Sequence, residues 1–228
     1  MHSHAHHHPQ AASHESAPAT RGLVMNWGWR YDLVSWISNL LLRGKLRGLR
    51  ETALDLARLR EGEAVLDVGC GTGTLALAAK ARVGASGRVV GIDPGPRQID
   101  RARSKAARRG VDLDLRVGVI ERILTPDGSF DAALSTFMMH HLPDDVKRQG
   151  LAEIARALKP GGRVVVVDFK RPERRDGRPV RLGAGESGIQ DLPAFMEQAG
   201  FSDIETGEIE LPRLPGLAGA GYAVGRKN

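Results

Sequence analysis

Three alternating glycines and a nearby carboxylate are the residues of this sequence that most clearly indicate a chemical role. Gly69, Gly71 and Gly73 follow the apolar run Ala64–Val68, which includes Asp67. Glycines allow a sharp backbone turn, and a ligand can lie close against a backbone without side chains. A helix that begins after such a turn directs free amide donors at the ligand. The segment therefore predicts a binding site for a nucleotide-bearing small molecule.

A second carboxylate narrows the choice of ligand. Asp93 ends the next apolar strand, where an acidic residue can accept hydrogen bonds from ribose hydroxyls. The pattern Gly71-x-Gly73-x-x-Ala76 also satisfies a loose dinucleotide motif, so a nicotinamide enzyme is one alternative. However, the carboxylate of Asp67 would repel a pyrophosphate and would suit an ammonium group. This favours S-adenosylmethionine, which has an amino-acid tail, a sulfonium and no phosphate.

The composition sets further bounds on function. The 228 residues suit one α/β domain with an N-terminal extension. A single cysteine, Cys70, excludes an internal disulfide and favours a reducing, cytoplasmic location. No apolar run reaches the roughly 18 residues that a membrane span needs. The net charge of +6 comes from scattered arginines without interleaved aromatic residues, so nucleic-acid binding is disfavoured.

The chain divides into three parts. Residues 1–20 are rich in His, Ala, Ser and Pro, and we expect a disordered tail with no functional metal site. Residues 21–60 have a helical pattern and contain all three tryptophans, which predicts either a lid over the ligand or a helix packed on the core. Peripheral contact with a membrane surface is a further interpretation of Trp36, Leu40–Leu42 and the cations Arg43, Lys45 and Arg47.

Residues 61–228 alternate short strands with amphipathic helices. The predicted strands are Ala64–Val68, Arg88–Ile92, Leu113–Val117, Phe130–Ser135 and Arg163–Asp168, and the predicted helices are Leu75–Ala81, Pro96–Arg109, Asp144–Leu158 and Ile189–Gln198. This alternation predicts a parallel sheet that is covered on both faces. Two further strands, Asp203–Ile209 and Tyr222–Arg226, lack an intervening helix and predict an antiparallel pair at one edge.

Four ordered motifs resemble those of class I S-adenosylmethionine-dependent methyltransferases. They are Val65–Gly73 (VLDVGCGTG), Val90–Asp93, Phe130–Thr136 and Leu158–Arg163. The chain is most similar to the quinone-biosynthesis type and its small-molecule relatives, and Arg30-Tyr31-Asp32 resembles an N-terminal element of that group. The resemblance implies a Rossmann-like α/β fold with a doubly wound, mostly parallel seven-stranded sheet and an antiparallel last strand.

The resemblance also implies S-adenosylmethionine as the cofactor, and we expect its contacts along the strand ends. The expected contact residues are Tyr31, Asp67, Gly69, Cys70, Gly71, Thr72, Gly73, Asp93, Pro94, Gln98, Val119, Ile120, Ser135 and Thr136. Two positions depart from the family pattern. Val119 stands where an Asp or Asn usually meets the adenine amino group, and Gln98 stands where a Met often packs. Adenine would then be held by backbone groups and apolar packing.

His140 and His141 are the candidate catalytic residues because they follow the fourth strand. A histidine there can take a proton from a phenol or an enol carbon acid, although either can instead pack against the next helix. Candidates for an aromatic wall beside the sulfonium are Trp27, Trp29, Tyr31 and Phe137. We predict C- or O-methylation of a small, lipophilic acceptor, whose identity the segment Lys170–Gly188 leaves open. The alternatives are a catalytically inactive S-adenosylmethionine-binding protein and an RNA methyltransferase.

Overall fold

The computed structural model describes residues 19–41, 45–171, 186–210 and 219–228. The helices are α1 (Trp29–Leu41), α2 (Lys45–Ala57), α3 (Thr74–Val83), α4 (Pro96–Arg108), α5 (Asp144–Ala157) and α6 (Leu192–Gln198). The strands are β1 (Ala64–Val68), β2 (Arg88–Asp93), β3 (Asp114–Val117), β4 (Phe130–Thr136), β5 (Leu158–Phe169), β6 (Phe201–Ile209) and β7 (Ala220–Lys227). In the described ranges, every helix is too short or too polar to cross a membrane. Most of the predicted tail at 1–20 and of the Lys170–Gly188 segment lies outside these ranges.

The seven strands form one sheet in the order β3-β2-β1-β4-β5-β7-β6. Strands β1 to β5 pair in parallel, and β7 is antiparallel to both of its neighbours. The predicted doubly wound sheet with its antiparallel last strand is therefore confirmed. The strand order reverses between β1 and β4, which opens a crevice at their carboxyl ends. The glycine turn follows β1 and lies at this crevice.

The two faces of the sheet bury different helices. Leu66 and Val68 of β1 face a core that includes residues of α5 and α6. Val65 faces the opposite core, where Ala53 and Leu54 of α2 are nearly fully buried. This alternation follows from the two-residue period of a strand. Helix α2 thus packs on the core, as one of the two interpretations of the N-terminal region predicts.

Two predicted boundaries are wrong. The N-terminal region is not helical before Trp29, because Gly28 has a left-handed φ of 55° that separates the preceding segment from α1. Strand β5 begins at Leu158, which the sequence pattern assigned to a helix. Leu158 pairs with Phe130, and a register shift follows, so the segment between Leu158 and Arg163 is a bulge inside the strand.

Candidate active site

The glycine turn has a backbone conformation that L side chains rarely adopt. Gly69 and Gly71 have φ values of 74° and 53°. The amides of Gly69 and Cys70 donate to the carbonyl of Ile92 at 2.9 and 3.0 Å, which fixes the turn to β2. A Cβ on Gly69 would lie 2.3 Å from the Met138 side chain, whereas a Cβ on Gly71 would point into open space. The missing side chain of Gly69 therefore makes space for the Met138 side chain, and the space beside Gly71 is open to a ligand.

A cavity lies at the carboxyl ends of β1, β2 and β4, with an open volume of about 680 Å³ including its mouth. It is lined by ten of the predicted site residues, which are Tyr31, Gly69, Gly71, Asp93, Pro94, Gln98, Val119, Ile120, Thr136 and His141. The other six lie outside its wall, and these are Asp67, Cys70, Thr72, Gly73, Ser135 and His140. The structure thus brings most of the predicted residues to one cavity and places the rest around it.

Asp93 lies where β2 meets the glycine turn. Its Oδ2 accepts a hydrogen bond from the Gly71 amide at 2.9 Å, and its Oδ1 accepts one from the Gly95 amide at 2.8 Å. Burial raises the pKa of Asp93 to about 6, against the opposing effect of these two hydrogen bonds. The carboxylate keeps further lone pairs for a ligand, because each oxygen can accept more than one hydrogen bond.

Asp67 lies behind the turn and is 1% exposed. Its Oδ2 has no hydrogen-bond partner among the described residues. Burial, together with repulsion from Asp93, raises the pKa of Asp67 to about 7. Two carboxylates held this far from water produce a negative potential at the turn, which attracts a cationic ligand.

The Asp67→Asn variant is expected to gain stability over the wild type as the pH rises from 5 to 8. The pKa of Asp67 is about 7 in the fold and about 3.9 in the unfolded chain, so between these pH values only the unfolded chain ionises, which lowers the stability of the wild type. The gain should reach roughly 2–4 kcal/mol above pH 7 and vanish near pH 4. Urea unfolding of both proteins without cofactor at pH 5 and pH 8 measures it. An equal difference at both pH values would contradict the expectation.

Thr72 and Asp32 tie α1 to the turn and to α4. The Thr72 hydroxyl donates to Asp32 at 2.6 Å, and the Arg101 guanidinium donates to the same carboxylate at 2.6 Å. Lys105 donates to Thr72 at 3.1 Å and to Asp32 at 3.3 Å. The Asp32 carboxylate therefore joins three elements around the turn, and the Thr72 hydroxyl is engaged there rather than in the cavity wall.

The segment before α1 forms a wall of the cavity, and its residues Leu23 and Met25 were not named in the sequence analysis. Leu23 and Met25 line the cavity, and the Leu23 amide donates to the His141 carbonyl at 3.0 Å. The Gly28 amide donates to Gln98 Oε1 at 3.0 Å, so Gln98 holds this segment on α4. Irregular segments have no periodic signal, and the sequence pattern therefore singled out neither Leu23 nor Met25.

Glu121 is a second lining residue that sequence reasoning missed. Its Oε1 accepts a hydrogen bond from the Thr20 hydroxyl at 2.6 Å. Its Oε2 is buried and has no partner among the described residues. Apolar groups of Ile92, Val119 and Ile120 line the same part of the cavity. Glu121 thus brings an acceptor without a described partner to a cavity whose lining also includes apolar side chains.

His140 forms a pair with Asp168, which is 1% exposed at the end of β5. The His140 Nδ1 lies 2.7 Å from Asp168 Oδ1. Because a carboxylate only accepts, Nδ1 carries a proton, and Nε2 is the ring nitrogen that this contact leaves free. The Phe169 amide also donates to Asp168 Oδ1, at 2.7 Å, and holds the carboxylate in place. The sequence pattern gave no reason to single out Asp168, because only the pairing of β4 with β5 brings it to His140.

His141 lines the cavity beside His140, with ring centroids 3.9 Å apart. Burial and the neighbouring His140 lower the pKa of His141 to about 4. Its imidazole is therefore neutral at pH 7. A group with so low a pKa is a weak general base, whereas the ring of His140 is oriented by its hydrogen bond to Asp168.

Phe137 connects the cavity wall to the His140–Asp168 pair. It has a φ of 52°, which is unusual for a bulky residue. Its ring packs on Phe169 with centroids 4.9 Å apart, and Phe169 packs edge-on against His140 at 5.0 Å. Backbone strain of this kind concentrates at functional sites, where it holds a side chain in a required position.

Comparison with known proteins decides the family. Residues 65–162 match the family model of a methyltransferase domain. Over 145 residues, the chain is 39% identical to a ubiquinone/menaquinone biosynthesis C-methyltransferase of Geobacter sp. strain M21, covering 63% of this chain and 60% of that protein. The fold of this chain matches the crystal structure of a SAM-dependent methyltransferase from Aquifex aeolicus with a TM-score of 0.61 and 25% identity. The match covers 78% of this chain and 89% of the Aquifex chain. The chain carries a class I S-adenosylmethionine-dependent methyltransferase domain.

A further relative has similar coverage. This methyltransferase domain is 34% identical over 164 residues to a demethylmenaquinone methyltransferase of Deinococcus radiodurans, covering 72% of this chain and 66% of that protein. The chain thus spans 60% to 66% of the length of these two curated relatives.

S-adenosylmethionine, the cofactor of this domain class, fits the groups present in the cavity. The open space above Gly71 and the carboxylate of Asp93, which keeps lone pairs free, suit a ribose at the turn. The unpartnered Oε2 of Glu121 suits an amino group on a flat ring. The negative potential of Asp67 and Asp93 suits a ligand with a sulfonium and an ammonium.

Proposed function

We propose that this methyltransferase transfers the methyl group of S-adenosylmethionine to an oxygen or an acidic carbon of a small, lipophilic acceptor. The His140–Asp168 pair beside an apolar cavity wall carries the proposal. The names of the Geobacter and Deinococcus relatives support a quinone-like ring as the acceptor. The reduced, quinol form of such a ring is apolar and carries a hydroxyl that a histidine can deprotonate.

Different lining residues contact different parts of the cofactor. Asp93 accepts hydrogen bonds from the ribose hydroxyls, and Gly69 and Gly71 let the ligand lie against the turn. Val119 packs on the adenine ring, and Glu121 Oε2 accepts a hydrogen bond from its amino group. This assigns adenine recognition to a side chain in addition to the backbone groups and apolar packing expected from the sequence.

The reaction places modest demands on the protein, because the sulfonium of the bound cofactor supplies an already activated methyl group. His140 Nε2 takes the proton of the acceptor hydroxyl or ring carbon. Asp168 stabilises the imidazolium that forms and keeps the ring in the correct tautomer. Leu23 and Phe137 exclude water from the reacting atoms, which strengthens the electrostatic interactions in the cavity.

Turnover with labelled cofactor tests the proposal. The full chain is incubated with methyl-labelled S-adenosylmethionine and either reduced demethylated quinones, simple phenols or RNA. Label in a quinol or phenol supports the proposal. Binding of the cofactor without transfer to any acceptor would favour an inactive binding protein, and label in RNA would favour an RNA methyltransferase. Either result would overturn it.

The Glu121→Ala variant is expected to lose the preference for adenine. The wild type should bind S-adenosylhomocysteine about tenfold or more tightly than the inosine analogue, since a hydrogen bond to a charged group contributes about 1.5–3 kcal/mol. The variant should bind both ligands with similar affinity. Titration calorimetry gives the four dissociation constants, and Thr20→Val is the control because it removes the hydrogen-bond partner of Glu121 Oε1 and keeps the Glu121 carboxylate. A preference that persists in the Glu121 variant would disprove the assignment.

A further inference from the structure

The N-terminal region presents a cluster of exposed apolar side chains. Of the nine large hydrophobic residues that are exposed in the described ranges, eight belong to it, namely Leu23, Val24, Trp27, Trp29, Leu33, Val34, Trp36 and Ile37. Trp27, Trp29 and Trp36 are 53%, 60% and 63% exposed. Exposed apolar residues scattered singly need no explanation, but a contiguous patch marks an interaction site. We call the residues Trp27–Ile37 the tryptophan surface.

Helix α1 has the reverse of the usual polarity. Trp29, Leu33 and Trp36 are separated by four and three residues and form one stripe that faces solvent. The polar side of the helix faces the protein, where Asp32 bonds to Arg101 and Lys105 of α4. A helix on the surface of a globular protein normally directs its apolar stripe at the core. The outward stripe of α1 is therefore suited to a partner outside this domain.

The charge around the stripe indicates the kind of partner. Residues 29–48 contain four basic residues and a single acidic one, Asp32, whose carboxylate is turned toward α4. Arg30 lies over the Trp29 ring at 5.8 Å, so a cation and an aromatic ring occur together at the surface. Tryptophan with flanking Lys and Arg is the combination found at the interface of an anionic bilayer. In a two-fold dimer the same surface of both copies is in contact. A second copy would therefore place a positively charged surface against the positively charged tryptophan surface.

We propose that the tryptophan surface docks the domain on an anionic lipid bilayer. The indole rings would lie at the level of the headgroups, and Arg30, which lies over the Trp29 ring, would contact lipid phosphates. Met25 and Tyr31, which line the cavity, lie in the same segment as the tryptophans. Docking would therefore bring the cavity mouth near the membrane surface, where a lipophilic acceptor concentrates. Only this last consequence rests on the proposed function.

Vesicle binding of the full chain tests the proposal. The chain is mixed with vesicles of phosphatidylcholine alone or of phosphatidylcholine with phosphatidylglycerol, at low and high salt. We expect co-sedimentation with the anionic vesicles and weaker co-sedimentation at high salt, because salt screens the attraction. All three tryptophans of the chain lie in this surface, so a blue shift of the intrinsic fluorescence would report their insertion directly.

Paired variants distinguish vesicle binding through the tryptophan surface from non-specific hydrophobic binding. The double variant Trp29→Ser and Trp36→Ser should lower the vesicle partition constant about 10- to 100-fold, given the apolar area of two indole rings. Leu124→Ser is the matched control, because Leu124 is 63% exposed and lies outside the surface. Trp29, a candidate for the aromatic wall in the sequence analysis, does not line the cavity, and neither does Trp36. Binding of S-adenosylhomocysteine should therefore stay unchanged in both variants, which shows that they fold. This control also keeps a failure of docking distinct from a failure of the proposed methyl transfer.

Three outcomes would overturn the proposal. The first is a wild-type chain that stays in solution with anionic vesicles at low salt. The second is an equal loss of binding in the Leu124 control. The third is a dimer in sedimentation equilibrium that the double tryptophan variant dissociates, since the surface would then be covered by a second copy.

Discussion

The Asp168→Asn variant is expected to slow methyl transfer by about 100- to 10,000-fold, the range that general acid–base catalysis contributes. Asp168 accepts the Nδ1 proton of His140, and an amide there cannot stabilise an imidazolium. The dissociation constant of S-adenosylhomocysteine should stay within about twofold, because Asp168 lies outside the cofactor cavity. The measurements are the single-turnover rate with labelled cofactor and calorimetry with S-adenosylhomocysteine.

A double-mutant comparison distinguishes this role from a purely structural one. His140→Ala should slow the rate to a similar extent, and combining it with Asp168→Asn should add little, since the two residues act as one unit. Added imidazole should restore part of the rate in His140→Ala. Additive losses, or a variant that no longer binds S-adenosylhomocysteine, would indicate that the pair only supports the fold. His141→Gln serves as the comparison at the neighbouring ring.

The Asp93→Ala variant is expected to bind S-adenosylmethionine about 10- to 100-fold more weakly, because hydrogen bonds to a charged acceptor each contribute about 1.5–3 kcal/mol. The matched control is Asp100→Ala on α4, whose side chain is 73% exposed. Titration calorimetry at pH 8 gives both dissociation constants. An equal effect of the two substitutions would show that Asp93 does not contact the cofactor.

The same site predicts a pH dependence of binding. Burial raises the pKa of Asp93 to about 6 in the free protein, and hydrogen bonds from ribose hydroxyls favour the ionised form. The cofactor affinity of the wild type should therefore fall as the pH falls through the range from about 7 to 5. The Asp93→Asn variant should lack this component of the decrease. A wild-type affinity that stays constant over this range would contradict the assigned contact.

The fold was predictable because its signals are local and periodic. The alternation of apolar strands with amphipathic helices after Glu61 predicted the parallel sheet, and the missing helix between the last two strands predicted the antiparallel edge. The boundary at Leu158 was wrong because its pairing with Phe130, which lies far away in sequence, outweighed the helical pattern. Tertiary contacts override local preference most readily at element ends.

The candidate site was predictable only in part, because its residues come from two kinds of segment. The glycine turn and Asp93 follow strands at positions that the fold fixes, and both line one cavity. Glu121 and Leu23 belong to irregular segments, whose position depends on hydrogen bonds such as that from Thr20 to Glu121. The assignment of all these residues to the cofactor remains a prediction until the variants are measured.

The sequence by itself determined the fold class, the position of the cofactor turn and the family resemblance, because each depends on residue types at fixed spacing along the chain. Only the tertiary structure decided that Asp168 pairs with His140, since that contact requires β4 and β5 to lie side by side. It also decided which side of α1 faces solvent. The sequence shows three tryptophans near a carboxylate, but only the ion pairs of Asp32 with α4 turn the polar side inward and leave the tryptophans exposed.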